Sequence, residues 1–118
     1  MKITIQVMVQ PYTHADLDTA IAIADAALDK GHEVGLFLFA DAVLATHTVV
    51  KPIRKDRNIP KILEDMIAEK GLKVDICGIC MDYRGVTKET IIEGGSPSGL
   101  PELAELVASS DRFISLMA

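Results

Sequence analysis

Hydrophobic and polar residues alternate along the first ten positions of the chain. One face of this segment is apolar and the other is more polar: Ile3, Ile5, Val7 and Val9 against Thr4, Gln6, Met8 and Gln10. Strict alternation is typical of a β-strand, here one whose second face is less apolar. Pro11 ends the predicted strand, and Thr13 with Asp16 three residues later resembles a helix-capping signal.

A helical repeat of apolar residues follows from Leu17 to Leu28, and Gly31 is expected to stop that helix. The run from Val34 to Phe39 is almost continuously apolar, as in a strand that is covered on both faces. A short helix is expected between Asp41 and Ala45. This first half of the chain therefore predicts a strand, a helix, a second strand and a short helix.

Three further segments lead to the last third of the chain. Residues 51–58 hold four cations and one anion without a period, which indicates an exposed loop. Apolar residues from Ile59 to Ile67 then recur at helical spacing, and Gly71 is expected to close that helix. The glycine- and serine-rich stretch 94–99 is interpreted as another loop.

The order of elements predicts the fold class. A last helix around 100–107 and a closing strand at 112–117 complete an alternation of strands and helices, which requires a mostly parallel sheet with helices on both faces. We expect a three-layer α/β/α fold with four to five strands, in a single domain spanning residues 1–118. Function in such sheets lies beyond the carboxyl ends of the strands. These ends are the loops after Gln10, after Phe39 and around Gly95, together with Cys77.

Composition restricts the class of protein. The chain has 118 residues, of which 49% are hydrophobic and 25% charged, so we expect one globular domain. The net charge of -5 argues against nucleic acid as the main partner. No apolar run is long enough to span a membrane and the first residues do not resemble a signal peptide, so we expect a cytoplasmic protein without membrane partners.

Both cysteines lie in the segment from Val74 to Gly85. An apolar run that ends at Cys77-Gly78 predicts a buried strand followed by a turn and a short helix. A cysteine at a helix start lies near unpaired backbone amides, which stabilise the thiolate. If the helix continues, Cys80 and Arg84 lie on the same face as Cys77, at i+3 and i+7. Cys77 is then a candidate nucleophile, Cys80 a nearby thiol and Arg84 a supporting cation.

The same residues resemble the DsrE/DsrF/TusD group of small sulfur-relay proteins. Family members carry a cysteine strand of the form C-x6-R-G, and Cys77 with Arg84-Gly85 stands at that spacing. Gly31-His32-Glu33 is similar to a common turn of the family before the second strand. The closing pattern is also similar: Ser98-Gly99-Leu100 with Pro-Glu-Leu, then Ser110-Asp111-Arg112 before the last strand.

The resemblance implies a DsrE-like domain that acts as a sulfur carrier of the sulfurtransferase type. The cysteine matching Cys77 accepts a sulfane sulfur as a persulfide and passes it to a partner protein. Relatives assemble as trimers or hexamers, homomeric or from related subunits, so a homo-oligomer is expected. Arg84 is a candidate stabiliser of the persulfide anion. Cys80 is not required by the family motif, and it is either a resolving or supporting thiol or a packing residue.

Other interpretations of the cysteine pair remain open at this level. Cys77 and Cys80 form a C-x-x-C pair, so a dithiol/disulfide redox protein is one alternative. The pair is also half a zinc site, but His14 and His47 lack ligand spacing, so no metal site is predicted. A non-catalytic binding subunit of an oligomer is the last alternative. No cofactor-binding motif is apparent, since the 94–99 stretch follows no clear strand and lacks the lysine of a phosphate loop.

Overall fold

The computed structural model describes residues 1–118 and contains one five-stranded sheet. All neighbouring strands are parallel. In chain order the strands are β1 (Lys2–Val7), β2 (Glu33–Leu38), β3 (Lys73–Cys77), β4 (Gly95–Ser98) and β5 (Arg112–Leu116). The order across the sheet is β4-β3-β2-β1-β5, so β4 and β5 are the two edges.

Four α-helices and three 3-10 turns connect these strands. The helices are α1 (Asp16–Asp29), α2 (Ile59–Lys70), α3 (Gly78–Asp82) and α4 (Leu100–Ser109). The 3-10 turns are Ala40–Thr46, Lys55–Arg57 and Lys88–Thr90. None of the helices is long and apolar enough to cross a membrane.

The strand order decides which helix covers which face of the sheet. From β1 to β4 the chain moves steadily in one direction, whereas the connection from β4 to β5 returns across the whole sheet. Parallel connections are right-handed, so α4 must lie on the face opposite to α1 and α2. The contacts agree, since α1 packs against α2 while α4 packs on β1. The expected three-layer α/β/α architecture is therefore confirmed.

The core lies mainly between the sheet and the layer formed by α1 and α2. Strand residues on this face of the sheet, such as Ile5, Leu36 and Ile76, are fully buried. Alanines of α1 pack against them, which lets that helix approach the sheet closely. The predicted alternation in β1 is confirmed, although Thr4 on the second face is also fully buried, where its hydroxyl meets that of Ser110 at 2.6 Å.

The predicted loop at 94–99 is wrong for its central residues, which form β4. Gly95 lets β4 approach Ile76 closely, because a Cβ would lie 2.8 Å from Cδ1 of Ile76 and that side chain would have to shift. Pro97 is tolerated because β4 is an edge strand with one unpaired side. The Ser98 hydroxyl donates to the Asp75 carboxylate at 2.7 Å and attaches β4 to its neighbour. These long-range contacts outweigh the turn-forming composition of the segment.

The predicted start of α1 is also wrong in detail. Ala15, and not Thr13, is the residue that caps α1, and no side chain caps that helix. Asp16 and Asp18 instead place carboxylates in the first turn, where they interact favourably with the helix dipole. The expected ends at the two glycines are confirmed, since Gly71 closes α2 in the left-handed conformation at φ 74° and Gly31 follows α1 at φ 86°.

The exposed basic segment is largely confirmed. Residues 51–58 are mostly exposed and contain only one 3-10 turn. Arg57 attaches this segment to α1 through an ion pair with Asp18 at 2.7 Å, and its guanidinium lies 5.6 Å from the centroid of the Tyr12 ring.

Candidate functional site

Cys77 is the last residue of β3 and the residue that caps α3. The strand-to-helix turn predicted from the sequence is therefore present. Sγ of Cys77 accepts a hydrogen bond from the backbone N–H of Cys80 at 3.4 Å, so one of the unpaired amides of the helix start points at this sulfur. The Cys77 side chain is nearly buried, with an exposed fraction of 4%. A sulfur in this position is held in a fixed direction and has little contact with solvent.

Cys80 lies one helical turn further and is partly exposed. Its sulfur accepts a hydrogen bond from the backbone N–H of Ala40 at 3.2 Å. Burial raises the pKa of the Cys80 thiol above its usual value, and the hydrogen bond with Cys77 acts in the same direction. The Ala40 amide and the charge of Arg84 oppose this shift of the Cys80 pKa and do not cancel it. Cys80 therefore holds its proton at neutral pH.

The Ala40 amide reaches Cys80 because of an uncommon backbone conformation. Ala40 follows β2 and Phe39 and has φ 53°, in the left-handed region that alanine seldom occupies. Backbone strain of this kind costs about 1–3 kcal/mol and persists where the surrounding structure imposes it. Here the left-handed conformation of Ala40 directs its backbone N–H toward the sulfur of Cys80.

Arg84 lies just after α3 and is held by two acceptors. Its Nε donates to the Asp41 carboxylate at 2.8 Å, and one guanidinium nitrogen donates to the backbone carbonyl of Cys80 at 3.1 Å. The helix does not continue to Arg84, as the expected shared face required, since α3 ends at Asp82; the arginine instead reaches back to Cys80 from outside the helix. Arg84 places a cation near Cys80, and Asp41 fixes its direction.

A depression of about 510 Å³ opens beside the cysteine turn. It is lined by Gly78, the next residue in the chain, and by Ser98, which lies directly across from Cys77 in the β3–β4 pairing. A side chain at position 78 would begin to fill it, because a Cβ there would lie 3.5 Å from the Ser98 carbonyl oxygen. The depression offers a route by which a small group reaches the turn.

Two further observations complete the site. No group of three or more His, Cys, Asp or Glu side chains lies close enough together to hold a metal ion.

Asp41 and Ala40 were not singled out from the sequence, although the loop after Phe39 was expected at this end of the sheet. Asp41 could have been predicted from its position in the sequence. It is the first carboxylate after the carboxyl end of β2, and β2 pairs with β3.

Together the fold and the site define a class: a small three-layer α/β protein with a thiol pair at the carboxyl end of a parallel strand. The chain belongs to the DsrE/DsrF-like family, whose family model matches residues 1–116. This confirms the resemblance drawn from the C-x6-R-G spacing and the closing pattern.

Three relatives show how similar the chain is to individual members of related protein groups. The crystal structure of YchN from Escherichia coli has a TM-score of 0.84 and 31% sequence identity, and the match covers 98% of this chain and 99% of that one. DsrE of Allochromatium vinosum is 28% identical, over 97% of both chains. The sulfurtransferase TusD of Klebsiella pneumoniae is 25% identical, over 97% of this chain and 98% of TusD. The chain is thus similar over nearly its whole length to YchN and to two relatives whose names include the word sulfurtransferase.

Proposed function

We propose that this chain is a sulfur carrier, which accepts a sulfane sulfur as a persulfide on Cys77 and passes it to a partner protein. The single observation that supports this most directly is the place of Cys77, at the end of β3 with a helix amide on its sulfur. Membership in a family with a relative named as a sulfurtransferase supports the same chemistry.

The proposed transfer is an exchange between sulfurs. The Cys77 thiolate attacks the outer sulfur of a donor persulfide, a new S–S bond forms on Cys77, and the donor leaves as a thiolate. The reverse exchange with an acceptor thiolate releases the sulfur again. Sulfur is neither oxidised nor reduced overall, so no further reactant is required. Because Cys77 is only 4% exposed, the donor must deliver sulfur from an extended segment and not from a flat surface.

The proposed partners are a sulfur-donor protein, a sulfur-acceptor protein and further copies of this chain. Copies are proposed to form a trimer or hexamer, or to assemble with related subunits. The α4–β5 surface supports this, because its large apolar side chains are exposed: Leu100 (60%), Val107 (44%), Phe113 (39%) and, just beyond β5, Met117 (63%). We place the carrier in the cytoplasm, where thiols are kept reduced.

Intact mass spectrometry without reductant tests the carrier. The protein and its Cys77→Ser and Cys80→Ser variants are incubated briefly with polysulfide and desalted. We expect a gain of about 32 Da per sulfur atom, which a reductant removes, in the wild type and in Cys80→Ser. Loss of that gain in Cys77→Ser identifies the carrier residue. A wild-type protein that gains no sulfur contradicts the proposal.

A second candidate function follows from the hydrogen bond between the Cys80 amide and the Cys77 sulfur. Two cysteines three residues apart at the start of a helix suit a dithiol/disulfide redox protein. That function predicts a loss of about 2 Da after mild oxidation and no gain of sulfur from polysulfide, with either cysteine variant abolishing the loss. The same spectra therefore separate the two functions.

A further inference from the structure

We infer that Cys80 resolves the Cys77 persulfide from within the same chain, releasing its outer sulfur as hydrosulfide and leaving a Cys77–Cys80 disulfide. This inference rests on the proposed carrier function of Cys77 and adds a second outcome to it. The sulfur is then either handed to a partner or set free when no partner arrives.

The position of Cys80 permits the bond. Cys77 caps α3 and Cys80 lies three residues later, a separation that in a helix places the Cα atoms about 5 Å apart, within the range of disulfides. The Cys80 amide already contacts the Cys77 sulfur at 3.4 Å. Both cysteines are free in this structure, so each has a thiol available for the exchange.

The step balances without another reactant. Sγ of Cys80 attacks Sγ of Cys77, a disulfide forms, and the bond from Cys77 to the outer sulfur breaks. The outer sulfur takes the electron pair of that bond and the proton of the Cys80 thiol, and leaves as HS⁻. The two cysteine sulfurs are oxidised together by two electrons, and the outer sulfur is reduced by two.

Cys80 suits the role of proton donor. A persulfide gives up its proton more readily than a thiol does, so the outer sulfur is an anion and the proton must come from Cys80. The raised pKa of Cys80, caused mainly by burial, keeps this proton in place at neutral pH. As the proton leaves, the Ala40 amide at 3.2 Å and the nearby guanidinium of Arg84 stabilise the negative charge on the attacking sulfur.

The charged groups around Cys80 come from two elements. Cys77 lies at the start of α3 and Arg84 just after its end, and Asp41 from the Ala40–Thr46 turn contacts Arg84 at 2.8 Å. The depression lined by Gly78 and Ser98 opens beside the turn, and we expect the outer sulfur to leave on this side.

A time course after loading tests the inference. Wild-type protein, Cys80→Ser and Tyr83→Ser are loaded with polysulfide, desalted at once and followed by intact mass spectrometry and a sulfide assay. Tyr83 is 84% exposed in the same segment and serves as the matched control. We expect the wild type and Tyr83→Ser to pass from a gain of about 32 Da to a loss of about 2 Da with one hydrosulfide per chain.

In Cys80→Ser the extra sulfur should be lost about tenfold more slowly or worse, because only thiols of other molecules remain and these are far more dilute than a neighbouring thiol. Equal rates in the wild type and Cys80→Ser overturn the inference and leave the carrier function intact. A wild type that takes up no sulfur overturns both. Mild oxidation with diamide then shows whether the two thiols pair at all, which separates the dithiol function from an inert pair.

Discussion

The region from β1 to β3 and the region of α4 and β5 differ in how deeply their apolar side chains are buried. Strands β1, β2 and β3 with α1 and α2 contain most of the buried core, including Leu36 and Leu63, whose side chains have no exposed surface. In the region formed by α4 and β5, by contrast, no residue is fully buried. Both regions have apolar residues at regular spacing, but only the first buries them within one chain.

The two regions therefore have different roles: the packed core positions Cys77, and the exposed α4–β5 surface is the candidate for binding other chains. Cys77 ends a strand of the well-packed region, so its direction is fixed by a rigid core. The α4–β5 surface leaves Val107 and Phe113 at 44% and 39% exposure, as is typical of surfaces that bind other proteins. A regular apolar pattern therefore predicts an element and does not say whether its partner lies in the same chain.

Truncation of the core gives the largest expected effect on stability. Leu36→Ala removes a fully buried side chain from β2 and should lower the free energy of unfolding by about 2–5 kcal/mol, because the cavity is only partly filled by its neighbours. Leu100→Ala on α4, where the side chain is 60% exposed, should change it by about 0.5 kcal/mol. Urea denaturation at low protein concentration measures both. Equal losses for the two variants contradict the contrast.

A charge on the α4–β5 surface should weaken assembly without unfolding the chain. Val107→Asp should reduce self-association by about tenfold or more, because a carboxylate buried without a partner costs well over 1.4 kcal/mol. Val49→Asp, at a position 58% exposed outside this region, is the matched control and should leave assembly unchanged. Analytical ultracentrifugation measures both. An assembly that resists Val107→Asp shows that copies associate through another surface.

The smallest expected effect is a shift in the pH dependence of sulfide release. This shift tests the surroundings of Cys80, which lies next to the well-packed region. With the outer sulfur ionised and Cys80 protonated, the release rate should be nearly constant around neutral pH and should fall above the raised Cys80 pKa, where the proton is lost. Arg84→Gln removes a cation that lowers the Cys80 pKa, so the fall should move to higher pH. Arg84→Lys should restore the original position.

The measurement is the rate of hydrosulfide release between pH 6 and 10 in the three proteins. A rate that instead climbs steadily with pH through the neutral range indicates attack by an external thiolate. An Arg84→Gln profile that coincides with the wild type shows that this guanidinium does not act on Cys80.

Much of the site could be predicted because its signals are local. The apolar run that ends at Cys77-Gly78 defines both the strand end and the helix start within a few residues, and the structure has the same turn. Gly71 gives the end of α2 in the same way, since the left-handed conformation at that position favours glycine.

The rest depends on contacts between distant residues. Gly95 to Ser98 form a strand by pairing with β3, and Ser98 also binds Asp75, 23 residues earlier; no local pattern contains these partners. Asp41 is equally distant from Arg84, at 43 residues. The alternating pattern of strands and helices fixes the sheet class, but the side chains that meet across its carboxyl end are decided by register and by backbone strain at Ala40.

The most direct test of the account locates the extra sulfur within the wild-type chain. Trypsin cleavage after Lys73 and Arg84 yields one peptide that contains both cysteines. The protein is loaded briefly with polysulfide, quenched in acid with an alkylating reagent, digested and fragmented. We predict that fragments containing only Cys80 have no added sulfur, whereas those that include Cys77 carry about 32 Da more. An extra sulfur on the Cys80 fragments at the earliest times contradicts the assignment of Cys77 as the carrier.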